Sequence, residues 1–304
     1  VAVDLSSATT VTGSVSDIDT AYSSDGLSGL GDEAITVDSG TASVAEVNDL
    51  ADLTTGTLTA TVTEGDMATL AGITESGNAL TVTVTDTSVA ADALNTLDGL
   101  TTVAVDLSSA TTVTGSVSDI DTAYSSDGLS GLGDEAITVS ESITVAQANT
   151  LDAHTSGVVT ATISDNDIAS LDTLTGTGNA YTISVSDASV TAAGLNTLDG
   201  KTTVAVDVSS ATTVTGSVSD IDTAYSSDGL SGLGDEAITV DSGTASVAEV
   251  NDLADLTTGT LTATVTEGDM ATLAGITESG NALTVTVTDT SVAADALNTL
   301  DGLT

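Results

Sequence analysis

Residues 80–85 read Leu-Thr-Val-Thr-Val-Thr, an alternation that sets apolar side chains on one face of an extended segment and hydroxyls on the other. This is the pattern of a half-buried strand, and it opens each of four segments in the first hundred residues. Each alternation runs through Asp, Ser, Thr or Gly into apolar residues three or four positions apart. These are Val44, Val47, Leu50 and Leu53, then Met67, Leu70 and Ile73, then Val89, Leu94 and Leu97. Such spacing keeps the apolar groups on one stripe of a short helix. Ser43, Asp66 and Ser88 stand where a side chain caps the first amides of these helices, and Gly56, Gly77 and Gly99 stand where the chain must turn back.

The segments divide as Val1–Glu33, Ala34–Gly56, Thr57–Asn78 and Ala79–Thr102, of 33, 23, 22 and 24 residues. A strand, a turn, a short helix and a return loop in about 22–33 residues predicts a repeat solenoid, an α/β stack of strand-turn-helix coils whose strands pair in parallel. An all-β parallel β-helix is the alternative, because short Thr-rich helices have weak intrinsic propensity. The first segment departs from the others at Ser7–Gly13, read as a second short strand or a bulge. It departs again at Ser23–Glu33, whose Gly and Asp content predicts a loop bulging from the stack.

The four segments form a larger period. Residues 204–304 repeat residues 1–101 with one difference, Val208 for Leu5, and Val103–Val139 matches Val1–Val37 throughout. Three long repeats follow, 1–102, 103–203 with a divergent second half, and 204–304, expected to form one continuous solenoid that is a fragment of a longer repetitive chain. Twelve coils at the strand spacing predict a rod of roughly 55–60 Å.

Composition sharpens this picture. Against 45 acidic residues the chain has one Lys or Arg, Lys201, and a net charge of −44, which repels nucleic acid and attracts cations. Salt bridges contribute almost nothing, and a core without Phe or Trp must be Val, Ile, Leu and Ala. The absence of Cys removes disulfides, thiolate zinc sites and thiol catalysis. No apolar run reaches the roughly 20 residues that span a bilayer, so membrane insertion is not expected.

The recurrent polar cluster is acidic. Asp17, Asp19, Asp25, Asp32 and Glu33 recur as Asp119, Asp121, Asp127, Asp134 and Glu135, and as Asp220, Asp222, Asp228, Asp235 and Glu236. A Gly-rich loop with carboxylates offers the oxygen ligands that calcium takes, which makes these residues candidate calcium ligands. The bland reading is that Asp17 caps a helix and the others are solvated charges. His154 and Lys201 occur in the middle repeat alone. At the end of a predicted helix His154 reads as a solvated residue, and with no triad that fits all three copies the chain reads as a non-enzyme. Thr36, Thr59, Thr61, Thr81 and Thr83 would form a hydroxyl lattice on the outer strand face, a geometry able to meet ice or a crystal surface.

The phrases NTLDGLTT (95–102), TVTGSVSDIDTAYSSDGLSGLGDEAITV and SVAADALNTLDG resemble repeat tracts of very long secreted surface proteins of marine bacteria, cyanobacteria among them. The resemblance spans the chain and implies an adhesin, surface-layer or matrix component, extracellular or cell-surface, with calcium dependence common in such proteins. The GGxGxDxUx nonapeptide of calcium β-rolls is absent, so no ligand set carries over. The expected function is a structural stalk, filament or surface-matrix element that associates with copies of itself head to tail or laterally. The alternative is an adhesin region that binds a surface, ice or glycan through the Thr face or the Gly/Asp loops.

Overall fold

The computed structural model describes residues 2–241 and 243–304; Val1, which opens the first predicted segment, and Ser242 lie outside the described residues. Strands and helices alternate as the pattern predicts, but the elements are shorter: the helices leave out Leu53, Ile73 and Val89, and the strand at Leu80 ends at Thr81. The first period runs β1 (Val3–Asp4), β2 (Thr10–Gly13), α1 (Val15–Tyr22), β3 (Leu27–Ser28), β4 (Ala34–Val37), α2 (Val44–Ala51), β5 (Leu58–Thr61), α3 (Met67–Leu70), β6 (Ala79–Thr81), β7 (Ser88–Ala90) and α4 (Ala91–Asp98). It continues with β8 (Val105–Asp106), β9 (Thr112–Gly115), α5 (Val117–Ser125), β10 (Leu129–Ser130), β11 (Ala136–Ile143) and α6 (Val145–His154). The result is many short parallel strands in several sheets, alternating with helices.

Two compact units form, residues 1–141 with 150–159 and residues 142–149 with 160–304. In the first, β2, β4, β5 and β6 lie side by side in that order, and β7, β9 and β11 lie together in another sheet. Register stacks like on like, with Val11 opposite Ile35, Ile35 opposite Leu58, and Ala60 opposite Leu80. In the second unit Ser189–Thr191, Thr213–Gly216, Ala237–Val240, Leu261–Thr264 and Ala282–Thr284 form the corresponding sheet. The core is aliphatic: Ile35, Leu58 and Leu80 from the strands meet Val47, Leu50, Leu70 and Leu94 from the helices, all buried. Tyr181 fills the place of Leu80 in the middle period and is itself buried. The same period has a compensating pair, because Gly194 lies against Ile168 where the first period has Ala93 beside Met67. A methyl group on Gly194 would crowd the Ile168 side chain.

The caps follow the sequence in part. Ser43 accepts from the Glu46 amide and Glu46 reaches back to Ser43, a complete capping box, and Asp66 accepts from Thr69. Ser88 does not cap α4, because it belongs to β7, whose backbone pairs with β9; the cap position is Ala90, with no side-chain bond. Val89 likewise faces the core from a strand. Gly99 ends α4, whereas α2 and α3 end at Asp52 and Ala71, well before Gly56 and Gly77. Within the segment Ser7–Gly13, Thr10–Gly13 is the strand β2. The predicted bulge at Ser23–Glu33 is folded back: β3 within it pairs with β1, Val3 opposite Leu27.

Many of the acids serve neighbouring repeats. The Val44 amide donates to Glu64 Oε2 at 3.0 Å, Met67 to Asp86 Oδ2 at 2.7 Å, Val117 to Glu141 Oε1 at 3.0 Å and Val145 to Asp165 Oδ2 at 2.7 Å. Ile168, Val247 and Met270 donate in the same way to Asp187, Glu267 and Asp289. Each acceptor lies 19 to 24 residues further along, and each donor is the first residue of a helix. A carboxylate there satisfies an amide without an intrahelical partner and meets the positive end of the helix dipole. Negative charge thereby bonds one repeat to the next without a single basic side chain.

Candidate functional site

The predicted acidic cluster separates into distinct environments. Asp17, Asp119 and Asp220 sit in the first turn of a helix, where their amides donate to Ser14, Ser116 and Ser217 Oγ. The same hydroxyls donate back to the carboxylates at 2.7, 2.6 and 2.6 Å. The serine is the cap and the aspartate its partner, which refines the reading of Asp17 as the cap. Asp19, Asp121 and Asp222 lie on the exposed side of the same helices, and Asp25, Asp127 and Asp228 are exposed in the loop that follows. Asp32, Asp134 and Asp235 are exposed, while the next residue is not: Glu33, Glu135 and Glu236 are 1%, 1% and 2% exposed. Among the described residues, no three acidic or imidazole side chains come together in a group able to hold a metal ion.

The buried glutamate organises the loop. Glu33 Oε2 accepts from the Tyr22 hydroxyl and the Gly31 amide, both at 2.8 Å, and the copies repeat this with Tyr124 and Gly133, and with Tyr225 and Gly234. The backbone is gripped as well, since the Glu33 carbonyl accepts from Thr54 Oγ1 and the Gly31 carbonyl from the Thr55 amide. Gly56 passes so close to the Glu33 carbonyl that any Cβ there would collide with it, as at Gly157 and Gly259. Burial pushes the Glu33 carboxyl up, but the Gly31 and Glu33 amides, the Tyr22 hydroxyl and the Asp32 amide outweigh it and hold the group below its usual 4.5. Desolvation, then the adjacent glutamate, holds Tyr22, Tyr124 and Tyr225 well above the usual 10. One oxygen of each glutamate, Oε1, is buried without a hydrogen-bond partner.

The acidic spacing alone does not point to these tyrosines. A signal existed: three of the four tyrosines stand eleven residues before a Glu at the same place in each period. A second feature is a groove of about 300 Å³ between α1 and α2, lined by Asp19, Glu46 and Asp49, with a counterpart of about 310 Å³ at Asp222, Glu249 and Asp252. In the middle period Gln147 replaces Glu46 and His154 replaces Leu53. His154 is not simply solvated: Nε2 lies 2.8 Å from Asp121 Oδ1, and the ring stacks on Tyr124 with centroids 5.3 Å apart.

The outer hydroxyl lattice is short. Thr12, Thr36 and Thr59 lie in one row that stops at Ala79, and Thr61 faces Thr81 in another. Among the described residues, no helix is long and apolar enough to cross a membrane. Compared with known proteins, the chain matches no family model and no curated protein.

Proposed function

We propose that this chain is a structural solenoid of the extracellular surface, a load-bearing stretch of a stalk, filament or matrix and not an enzyme. The observation that carries the reading is the bonding of neighbouring coils by carboxylates placed on the first amides of seven helices, from Glu64 on Val44 to Asp289 on Met270. Polar groups that a binding site would direct at a ligand are here directed at the next repeat. The exposed acids that remain, Asp25 and Asp32 with their copies, gather cations, calcium among them, and repel nucleic acid. The interrupted Thr rows favour this reading over adhesion through the strand face.

Small-angle scattering of the 304-residue chain in moderate salt tests the solenoid, for which an elongated particle is expected and a compact one overturns the reading. Protease treatment of intact source cells tests location. Loss of the protein from intact cells is expected, and its protection until lysis places it inside.

A further inference from the structure

The surroundings of α1 and of its copies are not alike in the three periods. In the first, Asp19 on α1 and Glu46 and Asp49 on α2 line a groove of about 300 Å³ together with Val15, Leu50 and Leu53. In the third, Asp222, Glu249 and Asp252 line the counterpart of about 310 Å³ with Val218 and Leu253. Asp19, Asp49, Asp222 and Asp252 are exposed, whereas Glu46 and Glu249 are held by the Ser43 and Ser246 amides at 2.7 Å. None of these six is among the acids that bond to a neighbouring helix. Carboxylates gathered along one groove repel each other, and residues 15–53 and 218–256 contain no Lys, Arg or His to offset them.

The middle period has a base at this place. His154 takes the position of Leu53, and its Nε2 lies 2.8 Å from Oδ1 of Asp121, the copy of Asp19. The ring also stacks on Tyr124, with centroids 5.3 Å apart. The acids change along with it, because Gln147 stands for Glu46 and Thr150 for Asp49. The cap survives that change, since Gln147 accepts from the Thr144 amide as Glu46 does from Ser43. Where the chain brings its own base, one acid of the three remains; where it brings none, all three are kept. The internal comparison therefore identifies both the residue that takes a base, Asp19 with its copies, and the chemistry that it takes.

We propose that the two acid-lined grooves bind arginine side chains of a second, basic protein, as Asp121 binds His154 within the chain. A guanidinium presents its donors in a planar fork that matches carboxylates, and its methylene stem covers apolar surface such as Leu50 and Leu53. A bare metal ion fits less well, because among the described residues the three carboxylates do not come together in one ligand group. The partner is a different protein, because this chain has no Arg and a single Lys, Lys201. The net charge of −44 draws a basic partner in from solution, and the grooves decide where it is held. The proposal goes beyond the structural reading, since a stalk or filament that bears load must also be tied to what surrounds it.

Methyl NMR of the full chain, labelled at leucine and titrated with the peptide acetyl-Gly-Arg-Gly-amide, reads the grooves directly. Salt of about 0.15 M screens exposed charges beyond about 8 Å and suppresses diffuse attraction. Saturable shifts at Leu50, Leu53 and Leu253 are expected, with a weaker response to the lysine peptide and none to the glutamine peptide. Glu46→Gln, Asp49→Thr and Leu53→His together copy the middle period into the first, and should abolish the response at Leu50 while Leu253 still responds. Asp49→Asn with Asp252→Asn, at two exposed positions, should weaken binding in both grooves by about three- to five-fold, the scale of an exposed ion pair. An unchanged unfolding midpoint checks that each variant folds. No response, a response that rises without saturation, or one that calcium reproduces at the same ionic strength overturns the proposal. Equal binding of the lysine peptide overturns the assignment to guanidinium, and binding that survives both sets of substitutions overturns the grooves as its seat. The structural reading stands in each of these cases, because it depends on no partner.

Discussion

The Asp86 carboxylate accepts the Met67 amide at 2.7 Å, so a residue of one repeat caps the helix of the repeat before it. α3 is a single turn, Met67–Leu70, too short to persist without outside support. Asp86→Ala should lower stability by about 1 kcal/mol, the scale of an anion at a helix N-terminus together with one charged hydrogen bond. Urea unfolding of variant and parent checks it. An unchanged midpoint would make the contact incidental.

Glu46 is held below its usual 4.5 by the Ser43 amide and hydroxyl, and Glu249 likewise by Ser246. A depressed carboxylate binds protons more readily unfolded than folded, so its stabilisation is present above its ordinary value and fades as pH falls through the lower folded one. The middle period supplies the neutral control, since Gln147 Oε1 accepts from the Thr144 amide at 2.9 Å. Glu46→Gln with Glu249→Gln should therefore be less stable than the parent at pH 6, with the gap closing as pH falls from 4.5 toward the lower folded values. A gap that is constant with pH would remove charge from the account.

Alkaline titration followed by phenolate absorbance should show that three of the four tyrosines, Tyr22, Tyr124 and Tyr225, resist ionisation well above pH 10 while the chain is folded. Their stabilisation is complete below that value and is lost as pH rises through the folded one. Phe at one of these positions should cost about 1–3 kcal/mol, because it strips a charged hydrogen bond from a buried carboxylate. Ordinary phenolate titration of the native chain would disprove the buried pairing.

Gly157→Ala should destabilise by about 1–3 kcal/mol, since the new methyl group meets the Glu135 carbonyl and the return turn must shift. Gly99→Ala is the control. Its φ is −65° in the helical region and its nearest contact is an ordinary one, so it should be neutral or slightly stabilising. Equal effects at the two sites would refute the close approach.

With a net charge of −44, the thermal midpoint should rise with sodium chloride as self-repulsion is screened. Calcium at matched ionic strength should raise it further, through direct binding to exposed acids such as Asp25 and Asp32. Equal midpoints in the two salts would reduce calcium to screening, and indifference to both would refute the repulsion.

Much of this architecture is readable from local pattern alone. The alternation at Leu80–Thr85 and the spacing of Val44, Val47 and Leu50 depend on side chains within one repeat; there the helix forms as expected, and the strand forms but ends at Thr81, with only a bridge from Thr83 to Asp106 beyond it. What escaped depends on what lies alongside. Ser88 looks like a cap until β9 offers its backbone a sheet, and Ser23–Glu33 looks like a free loop until Leu27 pairs with Val3. Within the acidic set, Asp17, Asp25 and Glu33 share a composition but become a cap partner, a solvent-facing charge and a buried anchor. Only the position of Tyr22 and of the next repeat separates those fates.

The Ile168–Gly194 fit bears on how such a chain reaches its native pairing. Two stretches that differ at one position, 1–101 and 204–304, offer an unfolded chain two equivalent targets for each strand, and near-identical neighbours invite swapped and slipped intermediates. The middle period is marked. Ala93 or Ala296 brought against Ile168 would add a methyl group where Gly194 leaves just enough space, and Leu80 in the place of Tyr181 would leave a void. A mismatched partner loses packing on both counts, so the divergent third is the stretch whose side chains distinguish its own partner from the near-identical alternatives on either side.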